Sequence, residues 1–162
     1  MRAILSFIIV IVLMQRAFTA EAVKGTQPNI LIIFTDDQGW ADLACYGNEN
    51  NKTPRMDQLA REGTRFTQFY AQPVCGPSRS ALLTGRYPLR SLGWGMPASE
   101  ITWAEMITTA GYQTACIGKW DVSNRKAIIE RMPNAQGFQY YFGTLGANDG
   151  GKVTFHENNV AA

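Results

Sequence analysis

The sequence predicts an α/β fold with a mainly parallel central sheet, and three observations support this. Residues 29–35 form a continuous apolar run with β-branched residues, as expected of a buried parallel strand. Residues 112–117 predict a second buried strand. Residues 54–62 and 103–110 have the boundary residues of helices. Strand and helix signals therefore alternate, as they do in α/β proteins.

The N-terminus has the pattern of a signal peptide. Arg2 precedes an apolar run over residues 3–14 that is too short to span a bilayer as a stable helix. Residues 20–22 then supply a small-x-small cleavage site. We therefore predict a signal peptide over residues 1–22 and a mature chain over residues 23–162. The mature chain is expected to be exported, either to the periplasm or as a secreted protein, with no stable membrane anchor.

Composition limits the classes of protein that need to be considered. The chain has 162 residues, about one domain, and a net charge of +2 without a basic run, which argues against a nucleic-acid partner. The three cysteines, Cys45, Cys75 and Cys116, are too few for a disulfide framework. Cys116 stands in an apolar segment and is expected to be a buried, inert thiol.

The first predicted strand ends in two adjacent carboxylates, Asp36 and Asp37. The loops at the carboxyl ends of strands form the ligand crevice of an open α/β sheet. Two carboxylates there repel each other unless a cation holds them, so a metal site is one interpretation. The alternative is an Asx-type turn before Gly39.

The next helix and strand lead to Cys75. Thr53 is a plausible N-cap for a helix over residues 54–62, which has Pro54 at its first position. Residues 64–70 predict a strand whose aromatic side chains belong to the core.

A proline turn is expected directly after Cys75. Pro77 turns the chain, residues 78–84 predict a short helix, and Gly85 ends it. Cys75 is therefore expected at or near a helix N-terminus, where free N–H groups favour anions, and Arg79 adds a cation one turn later.

The second strand–helix pair leads to Lys119. Thr102 and Glu105 form a capping box that opens the helix over residues 103–110. Lys119 follows the predicted strand over residues 112–117 and is expected to face the same crevice as the two aspartates. The alternative is an ordinary solvated lysine.

The segment Cys75-Gly76-Pro77-Ser78-Arg79, followed by Leu83-Thr84-Gly85, resembles the signature of the type I sulfatases. Further stretches match the same family in order along the chain: residues 28–30, 36–40, 42–43, 45–47, 53–54, 59–63, 65–67, 111–115, 118–120, 137–138, 141–143 and 148–149.

The resemblance implies a fold, a modification and a metal. It implies an alkaline-phosphatase-like α/β/α sandwich in which a formylglycine-generating enzyme oxidises Cys75 to formylglycine. Asp36, Asp37 and modified Cys75 would lie around one Ca²⁺ ion, Arg79 would stabilise the formylglycine hydrate, and Lys119 would contact the sulfate. The implied reaction is hydrolysis of a sulfate ester, either a small molecule or a sulfated carbohydrate.

Two departures from the family pattern qualify this expectation. Asp121 stands where the family usually carries histidine after Lys-Trp, so that histidine's role does not transfer. The one histidine, His156, matches no catalytic position and is expected at the surface.

The second departure is length, because the family's remaining metal ligands lie beyond residue 162. The chain is therefore expected to be the N-terminal part of the catalytic domain, from a truncated reading frame or partial gene. Alone, it is expected to be marginally stable, to bind calcium weakly and to have negligible sulfatase activity.

Two alternatives to the sulfatase prediction stay open. One is a phosphonate or phosphate ester hydrolase of the same superfamily. The other is a truncated, non-catalytic pseudoenzyme.

Overall fold

The computed structural model describes residues 27–91, 95–122, 128–147, 151 and 153–161. The chain divides into two compact units, Met1–Thr35 and Asp36–Ala162. In the first unit the description covers residues 27–35 only, so the predicted signal peptide lies outside it. No helix in the described ranges is long and apolar enough to cross a membrane.

The predicted strand over residues 29–35 is absent from the structure. These residues are assigned to no strand, and the apolar side chains from Ile30 to Phe34 are 39–84% exposed. The prediction is wrong because β propensity alone does not make a strand. A strand needs a neighbour that pairs with its backbone groups, and the described sheet contains no strand from this run.

Within its described residues, the second unit contains three α-helices and a four-stranded sheet. Helix α1 is Pro54–Glu62, α2 is Cys75–Thr84 and α3 is Trp103–Thr108. The strands are β1 Ala115–Lys119, β2 Tyr140–Thr144, β3 Phe155–Glu157 and β4 Val160–Ala161. Short 3-10 helices occupy Trp40–Asp42, Ala44–Tyr46, Pro88–Arg90, Ile129–Arg131 and Pro133–Gln136.

The sheet is mixed rather than mainly parallel. Its order is β1-β2-β3-β4, with β1 and β2 parallel and the two later pairs antiparallel. The α/β class is correct, but two of the three strand pairs in the described sheet are antiparallel. Among the described strands, only the β1–β2 pair is a parallel unit that could have its ligand crevice at the carboxyl ends of the strands.

The helix predictions hold because their boundary signals are local. Pro54 begins α1 and Gly63 follows its last turn. Thr102 accepts a hydrogen bond from the Glu105 N–H at 3.1 Å, and the Glu105 carboxylate accepts one from the Thr102 N–H at 2.8 Å. The predicted capping box is therefore present, and α3 ends at Thr108, two residues earlier than predicted.

The predicted strand over residues 64–70 is also absent. Phe66, Phe69 and Tyr70 are 61%, 76% and 81% exposed, so their assignment to the core is wrong. Phe66 and Phe69 instead contact each other, with ring centroids 5.7 Å apart. As with residues 29–35, no strand of the described sheet pairs with this segment.

The core of the second unit lies between α3 and the β1–β2 pair. The Phe138 ring makes edge contacts with Trp103 and Trp120, at centroid distances of 5.6 and 5.9 Å. These contacts fix the segment that follows β1, where the site residues lie. The buried apolar side chains are Leu83, Met96, Ala104, Trp120, Val122, Met132, Phe138, Tyr141 and Leu145.

Candidate functional site

Helix α2 places Cys75 at its first position. The helix begins at Cys75, three residues earlier than predicted, after the extended residue Val74. The Ser78 hydroxyl donates to the Val74 carbonyl at 2.7 Å and anchors this first turn. Gly85 ends the helix in the left-handed conformation, with φ of 66°. The expectation that Cys75 lies at a helix N-terminus is therefore confirmed.

Arg79 joins helix α2 to the end of strand β1. Its side chain is 13% exposed, and its Nη1 donates to the Lys119 carbonyl at 2.7 Å. Lys119 is the last residue of β1, so this bond brings the carboxyl end of the strand to the first turns of the helix. The two cations predicted from separate motifs therefore belong to one cluster.

Asp36 pairs with both of these cations. Its Oδ2 accepts a hydrogen bond from Lys119 Nζ at 2.9 Å and lies 3.6 Å from Arg79 Nη2. The hydrogen bond from Lys119 is the main reason that the pKa of Asp36 falls below its ordinary value; partial burial opposes this shift and Arg79 adds to it. Asp36 is therefore ionised at neutral pH.

The surroundings of Lys119 keep its ammonium group charged at neutral pH. Burial acts to lower its pKa, but Asp36, Cys75 and Asp121 together raise the pKa above its ordinary value. Its side chain is only 10% exposed. Lys119 is therefore not an ordinary solvated lysine, and its ammonium group lies beside Asp36.

Asp121 completes the cluster, in a place that the sequence did not predict. Its carboxylate is fully buried, and its Oδ2 accepts a hydrogen bond from Cys75 Sγ at 3.0 Å. The same oxygen lies 3.5 Å from Lys119 Nζ. The only signal in the sequence is the position of Asp121, two residues after Lys119, where the family pattern has histidine.

Asp37 is not brought into a three-ligand metal centre. Its backbone is left-handed, with φ of 53°, and no group of three or more His, Cys, Asp or Glu side chains in the described ranges could hold a metal ion. Calcium takes six to eight oxygen ligands, and Asp36 already binds two side-chain cations through Oδ2. The residues described do not by themselves fit the predicted calcium site of Asp36, Asp37 and Cys75.

His156 and Cys116 are two further residues for which the sequence made a prediction. His156 is buried in strand β3, where it pairs with Gly143 of β2, so the prediction of a surface residue is wrong. Cys116 is partly buried, and burial raises the pKa of its thiol to about 11, with a smaller opposing effect from Arg79. Cys116 is therefore protonated at neutral pH, in agreement with the expected inert thiol.

The fold and the cluster together define an α/β protein that presents a cysteine at a helix N-terminus beside two partly buried cations. The family model described as Sulfatase matches residues 28–159. Human steryl-sulfatase is 39% identical over 143 residues, covering 76% of this chain and 24% of that protein. Mouse arylsulfatase G is 43% identical over 139 residues, covering 79% and 26%. The chain belongs to the sulfatase family.

Solved structures support the same fold. One described in connection with glycosaminoglycan metabolism by Bacteroides thetaiotaomicron matches with a TM-score of 0.73 and 36% identity, covering 85% of this chain and 32% of that one. Ps i-CgsB in complex with k-i-k-neocarrahexaose matches with a TM-score of 0.61 and 35% identity, covering 69% and 27%. This chain spans about a quarter of the length of the curated relatives named above.

Proposed function

We propose that this chain carries the nucleophile-bearing part of a sulfuric ester hydrolase, with Cys75 acting after conversion to formylglycine. The observation that carries the proposal is the meeting of Cys75 and Lys119 on one oxygen of Asp121, at 3.0 and 3.5 Å. A nucleophile beside a buried ammonium group is what cleavage of an anionic ester requires.

The surroundings of Cys75 fit an aldehyde hydrate at this position. A hydrate has hydroxyl groups that need acceptors, and the Asp121 oxygen that now accepts the thiol proton is such an acceptor. When formed, the formylglycine hydrate would supply the hydroxyl oxygen that bonds to the ester sulfur, while the sulfur–oxygen bond to the alcohol breaks and the alcohol leaves.

The other residues bind and orient the substrate. Lys119 offsets the charge of the sulfate oxygens, and the first N–H groups of helix α2 offer further donors to them. Arg79 holds Lys119 in place through the Lys119 carbonyl and through Asp36. We assign no step of the reaction to calcium, because the described residues do not complete a calcium site.

The substrate class is a sulfate ester, with sulfated carbohydrates and small aromatic sulfates as the two candidates. The carbohydrate candidate draws on Ps i-CgsB, which was solved with a neocarrahexaose bound, and the aromatic candidate draws on the similarity to arylsulfatase G. The proposal also requires a formylglycine-generating enzyme as a partner during maturation and export directed by residues 1–22.

Mass spectrometry tests the modification directly. Trypsin releases Cys75 in the peptide of residues 66–79, which contains no other cysteine. After co-expression with a formylglycine-generating enzyme, this peptide should show the mass loss expected when an aldehyde replaces the CH₂–SH group. A Cys75→Ser chain is the matched control for the maturation step. A peptide that stays entirely in the thiol form contradicts the proposal.

Hydrolysis then separates the reaction classes. The aldehyde-bearing chain is compared with the Cys75→Ser chain on 4-nitrophenyl sulfate and 4-nitrophenyl phosphate at equal concentrations. Turnover of the sulfate that Cys75→Ser abolishes supports the proposal, and a preference for the phosphate supports the phosphate ester alternative. Because the isolated chain is predicted to have negligible turnover, the aldehyde at Cys75 is the result that decides the proposal. Where a rate rises above that of the Cys75→Ser chain, the preferred ester identifies the reaction class.

A further inference from the structure

The backbone at Asp121 is held in an unusual conformation that directs its side chain into the site. Its φ is 54°, in the left-handed region that side chains other than glycine, asparagine and aspartate rarely adopt. The Asp121 N–H donates to the Leu145 carbonyl at 3.2 Å, and the Trp120 N–H donates to the Thr144 carbonyl at 2.8 Å. The link between β1 and Asp121 is therefore fixed by the end of strand β2.

One oxygen of the buried carboxylate serves two functional side chains. Asp121 Oδ2 accepts from Cys75 Sγ at 3.0 Å and lies 3.5 Å from Lys119 Nζ. A fully buried carboxylate is costly unless it is paired, so these contacts resist being broken. Because a single atom makes both contacts, it also fixes the distance between the Cys75 and Lys119 side chains.

Lys119 lies between two carboxylates that attract it in different directions. Asp36 holds the ammonium group at 2.9 Å from one side, and Asp121 holds it at 3.5 Å beside Cys75. Without the charge of Asp121, the contact to Asp36 would be the stronger charge attraction on the ammonium group.

We propose that Asp121 is a positioning residue that keeps the Lys119 ammonium group next to the side chain at position 75, where it guides an anion to that side chain. For a sulfate ester this role rests on the proposed function, but the placement of Lys119 does not. The competing explanation is that the Asp121 carboxylate acts by its own charge only and repels anions. The two explanations differ in whether the effect of Asp121 depends on Lys119.

Alkylation of the unmodified thiol measures this dependence. Iodoacetate is an anion and iodoacetamide is neutral, and both react with the thiolate, so the ratio of their rates cancels changes in the thiolate fraction. The peptide of residues 66–79 reports Cys75, and the peptide of residues 25–52 reports Cys45 as an internal reference in the same digest. Since no aldehyde or turnover is needed, failure of the proposed function and failure of this inference are separate results.

The variants form a double-mutant cycle between Asp121 and Lys119. Asp121→Asn removes the charge, keeps an acceptor for the thiol and tolerates the left-handed backbone. Lys119→Met removes the ammonium group and keeps a long side chain. Asp121→Gly takes the place of Asp121→Asn if circular dichroism shows that the asparagine chain does not fold, because glycine adopts this φ without strain.

The expected result is a strong coupling between the two positions. Asp121→Asn multiplies the ratio of the iodoacetate rate to the iodoacetamide rate at Cys75 by some factor. This factor should be at least about threefold lower when residue 119 is lysine than when it is methionine. The Cys45 ratio should stay constant, and urea should remove the coupling. An equal fold-change in both chains, a larger one in the Lys119 chain, or no change in either overturns the proposal.

Discussion

The substitution Gly143→Ala tests how the sheet holds the site in place. Gly143 of β2 lies opposite Gly118 of β1, one residue before Lys119. A Cβ atom added at Gly143 would lie 1.8 Å from the Gly118 carbonyl oxygen, whereas real Cβ contacts stay beyond 3.0 Å. The obstacle is backbone, so the two strands would have to separate by more than about 1 Å.

The cost follows from two opposing effects. Replacing glycine by alanine stabilises a protein by about 0.4–1 kcal/mol through the unfolded chain when the site accepts the methyl group. Overpacking costs about 1–3 kcal/mol, and more where backbone must move. We therefore expect Gly143→Ala to lower the free energy of unfolding by about 2–4 kcal/mol relative to a glycine-to-alanine control without the clash.

Gly39→Ala is that control. Its φ is −77°, and its added Cβ would meet the Asp42 carboxylate at 3.3 Å, at the end of a side chain that can move. Both chains are unfolded in urea and followed by tryptophan fluorescence, with sucrose added to raise the stability of a marginal chain. A difference below about 0.5 kcal/mol between the two variants would refute the argument from the β1–β2 contact.

Three further predictions concern the capping box, the third cysteine and calcium. Thr102→Ala should lower the free energy of unfolding in urea by about 1–3 kcal/mol, because it removes the N-cap of α3 and the hydrogen bond from the Thr102 hydroxyl to the Gln136 carbonyl. Thr109→Ala, at an exposed threonine, is the control and should lower it less. At pH 8 the Cys116 thiol, with its pKa of about 11, should be alkylated about a hundredfold more slowly than in urea, as peptide mapping would show, and equal rates would contradict its burial. Millimolar Ca²⁺ should raise Tm by less than about 1 °C, and a larger shift would show that oxygen ligands converge outside the described ranges.

The helices were predictable because the residues that begin and end them act locally. Proline at the first position of α1, the capping box of α3 and the left-handed glycine after α2 work through neighbours a few residues away. The strands over residues 29–35 and 64–70 were not predictable in this way. Their composition favours extended backbone, but pairing depends on which strand lies beside them.

The same distinction applies to the site. Cys75, Arg79 and Lys119 were found from motifs, and the hydrogen bond from Arg79 to the Lys119 carbonyl joins helix α2 to the last residue of β1. The contact of Asp121 with Cys75 depends on a positive φ at Asp121 and on its hydrogen bond to Leu145. Neither feature has a signature in a single sequence, so Asp121 was noticed only as a departure from the family pattern.

The two carboxylates on Lys119 differ in a way that decides which one an anion can replace. Asp36 is 41% exposed, so its carboxylate can exchange the ammonium group for water at little cost. Asp121 is fully buried, and releasing Lys119 would take a charge partner away from a carboxylate that water does not reach. Under the proposed function, an incoming sulfate oxygen would therefore compete with Asp36 for Lys119 and leave the contact with Asp121 in place.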